Sequence, residues 1–190
     1  KAVASNFVEG RPGDRMGLIV FSGETFTQVP LTTDHAMMLN MLKDMKCGLL
    51  EDGTAIGDGL ASAVSRLKDS EAISKVVILL TDGDNNAGSI TPATAAEMAK
   101  IYGIRVYTIG AGTRGMAPYP VQTPFGGIQY QQVPVKINET LLQQIADEVC
   151  AGASSLQTSL ASRNTAQPLG QPTYIVAWVM MAAISSFVTP

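Results

Sequence analysis

The chain has 190 residues, 46% of them hydrophobic and 15% charged, with a formal net charge of −3. That length suits one domain with a single core, and its ordinary glycine and proline contents remove collagen-like and low-complexity classes. Mild acidity without a basic run argues against a nucleic-acid surface, and two cysteines (Cys47, Cys150) with a lone His35 argue against a disulfide framework and a zinc site.

In chain order, Val3, Phe7 and Val8 fall at i, i+4, i+5, which predicts the last turns of an amphipathic helix stopped by Gly10 and Pro12. Gly17–Phe21 is a short apolar run bounded by turn residues, the pattern of a strand buried on both faces. Ser22-Gly23-Glu24 turns the chain, and the β-branched and aromatic residues of Thr25–Leu31 predict the second arm of a hairpin, at a sheet edge. Asp34 caps a helix reaching Met45, with Met38, Leu39, Met41, Leu42 and Met45 inward. That methionine stripe reads as core packing rather than a binding groove.

Thr54–Leu67 is helical by pattern, because Ile56, Leu60, Val64 and Leu67 form one stripe. Lys75–Thr81 predicts a buried strand. Thr91 caps the next helix, with Pro92 at its first position and Gly103 just past its end. Ile104–Ile109 is another strand, followed by a long Pro/Gly-rich loop over 112–134 with a small ribbon near Ile128–Val133. Asn138 caps a last helix whose buried face is Leu141, Leu142, Ile145 and Val149.

The alternation predicts an α/β fold: a Rossmann-like, mostly parallel sheet with helices on both faces and one antiparallel edge strand. Parallel topology brings the Cys47–Thr54 loop and Asp82 to the same end of the sheet, where open α/β sheets bind ligands. Two readings stand side by side there. Thr54 and Asp82 are hard oxygen ligands suited to Mg²⁺, or they are a helix cap and a turn residue.

The residues Asp52-Gly53-Thr54-Ala55-Ile56-Gly57-Asp58-Gly59-Leu60 and Val77-Ile78-Leu79-Leu80-Thr81-Asp82-Gly83, with the strand Val106–Gly110, resemble the von Willebrand factor A (VWA) domain. Arg15–Gly23, Thr27–Thr32 and the extended loop after Gly112 are similar to the BatA/BatB-type aerotolerance proteins of bacteria. The resemblance covers about residues 1–150. It implies a metal-ion-dependent adhesion site in which Thr54 supplies a hydroxyl and Asp82 a carboxylate. Ser22, Gly23, Asp84, Asn85 and Asn86 would form the rim of its metal face. It also implies Mg²⁺ or Mn²⁺ as cofactor, no catalysis, a protein partner from the cell envelope whose acidic side chain completes the coordination, and a place at the bacterial membrane.

One departure is large. The family's central strand ends in Asp-x-Ser-x-Ser, and residues 1–190 contain no such motif after an apolar strand. The metal is therefore expected only where sequence upstream supplies those ligands. Without that strand, the edges of Gly17–Phe21 and Lys75–Thr81 are expected to lie unpaired, and unsatisfied backbone groups cost of order 1–3 kcal/mol each. The fold is thus expected to be incomplete at both ends, with a partial VWA domain over 1–152, a linker over 153–173 and an apolar segment over 174–190. From Asn164 to Pro190 no residue is charged. Tyr174–Val188 is shorter than the ~20 residues that span a bilayer, so it reads as a partial span, a buried element or an unrelated tail.

Several motifs fail on context. Gly110-Ala111-Gly112-Thr113-Arg114-Gly115 spells G-x-G-x-x-G, but Pro118 and Pro120 follow in place of a helix. Asp82-Gly83-Asp84-Asn85-Asn86 begins like a calcium loop, but Ala87 stands where glycine is required. The sequon Asn138-Glu139-Thr140 is better explained by the helix cap. Three functions remain: a metal-dependent protein-binding module, a truncated VWA piece without a working metal site, and a Mg²⁺-dependent phosphatase-like enzyme using Asp82 and Asp84.

Overall fold

A computed structural model describes residues 2–45, 53–72, 74–81, 84–110, 115–122, 128–135, 138–149 and 174–181. Its elements in chain order are α1 (Ala2–Glu9), β1 (Arg15–Phe21), β2 (Thr25–Thr32), α2 (His35–Asp44), α3 (Ile56–Leu67), β3 (Ser74–Thr81), α4 (Pro92–Ile101), β4 (Ile104–Gly110), β5 (Gly115–Gln122), β6 (Ile128–Val135), α5 (Glu139–Val149) and β7 (Tyr174–Met181). A five-stranded sheet runs in the order β2-β1-β7-β3-β4, and β5 and β6 form a separate antiparallel ribbon. Within the five-stranded sheet only β2, at the edge, is antiparallel to its neighbour. Pro30 lies in that edge strand, where a missing N–H interrupts no second ladder.

Successive side chains of a strand point to opposite faces, so a strand covered on both sides is apolar throughout. In β1, Met16, Leu18 and Val20 enter a core with Ala4 and Val8 of α1 and Met38 and Leu42 of α2. Ile19 and Phe21 enter the opposite core, with Ile56, Leu60, Val64 and Leu67 of α3, Ala95, Ala96 and Ala99 of α4, and Leu142 and Ile145 of α5. Helices therefore cover both faces, as the alternation of elements implies. The methionine stripe is core: Met38, Leu42 and Met45 are buried, Leu39 and Met41 pack half-buried against them, and Met37, outside the stripe, is exposed.

The helix boundaries follow their capping residues. Asp34 accepts the Met37 amide at 2.9 Å, Thr91 accepts that of Thr94 at 3.2 Å, and Asn138 accepts that of Leu141 at 2.9 Å. Gly103, at φ +63°, closes α4 in the left-handed conformation open to glycine. Strand and helix ends differ from expectation by one or two residues, and two of the differences are informative. Helix α3 starts at Ile56 rather than Thr54, because the loop before it is held by other parts of the chain. The ribbon is also longer than expected: it pairs Gly115 with Val135 and Gln122 with Ile128.

The largest correction concerns the centre of the sheet. The edges of β1 and β3 were expected to face an empty slot, yet β7 fills it. From Ile175 to Met180 every residue of β7 pairs with β1 on one side and with β3 on the other. The physical reason lies in composition: Tyr174–Met181 is uncharged and rich in β-branched and aromatic residues. A central parallel strand needs such a run, and the pairing satisfies two rows of backbone groups that would otherwise be buried without partners.

Candidate functional site

Three loops meet at the carboxyl ends of the strands. The first follows β1. The Ser22 hydroxyl donates to the Gly53 carbonyl at 3.1 Å, and the Ser22 carbonyl accepts the Ala55 amide at 2.7 Å. The second loop, 53–55, lies between the other two. Gly53 has φ +140°, and a Cβ there would stand 3.0 Å from both the Gly23 Cα and the Ala87 Cβ. Only glycine lets the three loops close on one another at that point.

Thr54 is buried, and its backbone is held on both sides by the third loop. Its amide donates to Asn86 Oδ1 at 2.8 Å, and its carbonyl accepts the amides of Asn86 at 3.1 Å and Ala87 at 3.3 Å. Helix α3 has no cap from its own N-cap residue, Ala55. Asn85 Oδ1 supplies an acceptor instead, for the Gly57 amide at 3.3 Å. Thr54 is therefore not the N-cap of α3.

Asp58 fastens the far end of the same loop. Its carboxylate accepts the Ser89 amide at 3.0 and 3.1 Å and the Ile90 amide at 2.7 Å. Gly57 makes the approach possible, because a Cβ there would lie 1.9 Å from the Ile90 carbonyl oxygen. The roles of Gly57 and Asp58 escaped the sequence reading. Their signal was a glycine in the first turn of a helix, where it costs about 1 kcal/mol against alanine and so implies a close approach.

The expected site residues thus divide. Ser22, Thr54, Asn85 and Asn86 are brought together with the Gly23 turn, whereas Asp84 stands exposed in the third loop. Asp82 and Gly83 lie outside the described residues. As oxygen donors for a divalent cation, the described residues offer the hydroxyls of Ser22 and Thr54, both buried, and the exposed carboxylate of Asp84. Among the described residues no group of three or more His, Cys, Asp or Glu could hold a metal. They amount to part of a donor set and do not form one by themselves. No helix among them is long and apolar enough to cross a membrane.

Comparison with known proteins places this architecture. An aerotolerance-related membrane protein from Bacteroides fragilis, crystallised with multiple mutations to serines, superposes with a TM-score of 0.64 at 30% identity, over 78% of this chain and 74% of that one. BatB from Bacteroides thetaiotaomicron superposes with a TM-score of 0.65 at 26% identity, over 97% and 81%. An uncharacterised protein of Borreliella burgdorferi is 33% identical over 113 residues, which are 60% of this chain and 33% of that protein. A UPF0353 protein of Mycolicibacterium paratuberculosis is 26% identical over 163 residues, 78% of this chain and 45% of that protein. The chain thus spans between a third and a half of the curated relatives it matches. The profile of the von Willebrand factor type A domain matches residues 1–133. The chain belongs to the von Willebrand factor type A family, and its domain is of the Bat-type, aerotolerance-related kind.

Proposed function

We propose that the chain is the protein-binding module of a longer, membrane-associated Bat-type protein, and that it captures its partner at the carboxyl ends of the strands without chemistry of its own. The observation that carries this reading is the double hold on Thr54. A buried threonine is fixed through its amide and its carbonyl at the edge where α/β sheets take ligands. In this reading Thr54 and Asp82 hold Mg²⁺ or Mn²⁺ together with oxygen ligands from a strand upstream of Lys1 that takes the place of β7 between β1 and β3, and an acidic side chain of a cell-envelope partner completes the coordination. The cation would supply the charge that attracts that carboxylate. Membrane association of the longer protein is supported by the membrane protein from Bacteroides fragilis that the chain resembles.

A second reading has its own support. The strand in the centre of the sheet is followed by Ala182-Ala183-Ile184-Ser185-Ser186, with no carboxylate through Pro190. In that reading the 190-residue chain by itself holds no divalent cation.

One calorimetric comparison tests both. MgCl₂ is titrated into the 190-residue chain, into a protein extended upstream, and into the extended Thr54→Ala and Asp82→Ala variants. The first reading expects binding by the extended protein that weakens at least ~10-fold in each variant, with the unfolding temperature unchanged. Equal binding by the variants, or partner capture that survives a chelator, overturns it. Binding by the 190-residue chain alone overturns the second reading.

A further inference from the structure

We infer that Asp58 is the positioning residue of this face: it sets where Thr54 stands by fastening the loop that holds Thr54. The inference rests on the reading of Thr54 as part of the binding face. Asp58 acts on that face through the loop, by its bonds to Ser89 and Ile90.

The loop between β3 and α4 is tied to the start of α3 at two ends. At one end, Asn86 accepts the Thr54 amide, Asn85 accepts the Gly57 amide, and the Asn86 and Ala87 amides donate to the Thr54 carbonyl. At the other end, the amides of Ser89 and Ile90 converge on one carboxylate. Both amides reach Oδ1, and that of Ser89 also reaches Oδ2; a carboxylate has no hydrogen to offer and accepts such bonds more strongly than a neutral group does. The bend between the ends is Gly88, at φ +93°, where a Cβ would stand 2.9 Å from Asp58 Oδ2. The backbone at 57 and 88 is thus bare where the carboxylate and the loop meet. Between Gly88 and Asn86 only Ala87 intervenes, so displacement of residues 89 and 90 carries the two asparagines with it. Asp58 also lies in the first turn of α3, where its charge is favoured by the helix dipole.

A purely structural staple between α3 and α4 makes a different prediction from a positioning residue, and amide hydrogen exchange separates them. Exchange is read on the 190-residue chain for Asp58→Ala, Asp58→Asn and Asn86→Ala. The positioning role expects Asp58→Ala to speed exchange at Ser89, Ile90 and Thr54 by about tenfold or more, with Val77 and Leu79 of β3 unchanged. Asp58→Asn keeps one acceptor oxygen and restores part of the protection at Ile90 and, with it, at Thr54. Asn86→Ala speeds Thr54 and leaves Ser89 and Ile90 protected. Faster exchange at Ser89 and Ile90 with Thr54 within about twofold of the parent overturns the role. If Asp58→Ala also loosens β3, the same criterion applied to Asp58→Asn decides. A MgCl₂ titration of the upstream-extended protein keeps the readings apart: no response there overturns the metal reading, while exchange at Thr54 still decides the role of Asp58.

Discussion

Thr54 and Asn86 exchange two hydrogen bonds: the Thr54 amide donates to Asn86 Oδ1 at 2.8 Å, and the Asn86 amide donates to the Thr54 carbonyl at 3.1 Å. An amide and a carbonyl just before a helix ordinarily find partners in local capping groups or water. Here both partners come from a loop that follows a different strand, so the position of Thr54 reports the position of that loop. This coupling turns a local sequence, Gly53-Thr54-Ala55, into a feature of the whole carboxyl edge.

Replacing Asn86 with alanine removes the acceptor of a buried amide and is expected to cost about 1 kcal/mol. Asn86→Asp keeps the oxygen and should retain most of the stability. Urea unfolding at constant slope reads both. A midpoint unchanged in Asn86→Ala would show that the 2.8 Å bond contributes nothing net.

Gly57→Ala sets helix propensity against close packing. In an exposed helix the change would gain about 1 kcal/mol. At this position the new Cβ would meet the Ile90 carbonyl oxygen at 1.9 Å, a backbone atom that cannot rotate away. The loop must shift, and overpacking of this kind typically costs about 1–3 kcal/mol, so the expected net change is destabilising. Greater stability in the variant, read by the same unfolding curve, would mean that loop and helix part easily.

Those two positions mark how far the sequence could be read. The strands β1, β3 and β4, the caps Asp34, Thr91 and Asn138, and the helix stripes were legible, because each rests on local periodicity or on a side chain bonding its own neighbours. The meeting of Thr54 with the loop after β3 was legible too, since parallel topology alone brings them to one end. The clamp by Asp58, and the capping of α3 by Asn85, were not. Both join residues about thirty positions apart, and no local pattern records such bonds. The slot filled by β7 was missed for a related reason. An apolar run without alternation fits a buried strand as well as a membrane segment, and nothing within Tyr174–Met181 names its partners.

The central position of β7 predicts a sharp response to Ala177→Pro. Ala177 stands opposite Gly17 on one side and Val77 on the other. Proline there removes a ladder donor and leaves a buried carbonyl without its partner, a loss of about 1–3 kcal/mol before any steric cost. Proline is already present in the edge strand β2, at Pro30, so the cost belongs to the central position rather than to strands in general. The expected outcome is a marked fall in the urea midpoint. An unchanged midpoint would show that β7 contributes nothing to the unfolding unit formed by β1 and β3.

At the opposite margin of the sheet a single substitution is expected to stabilise. The Thr25 hydroxyl is buried without a hydrogen-bond partner among the described residues, where β2 begins opposite Phe21. Burying a hydroxyl without compensation costs about 1–3 kcal/mol by mutational measures. Valine has nearly the same shape and an equal preference for strands, so Thr25→Val removes the penalty and keeps the packing. The expected gain is about 1 kcal/mol, a rise of roughly 2–4 °C in melting temperature for a chain of this size. Thr25→Ala is the informative control. It removes the hydroxyl and also a methyl group worth about 0.8 kcal/mol when buried, so it should fall near the parent. A loss of stability in Thr25→Val would show that the hydroxyl finds a partner in solution and that the edge is held by a bond of its own.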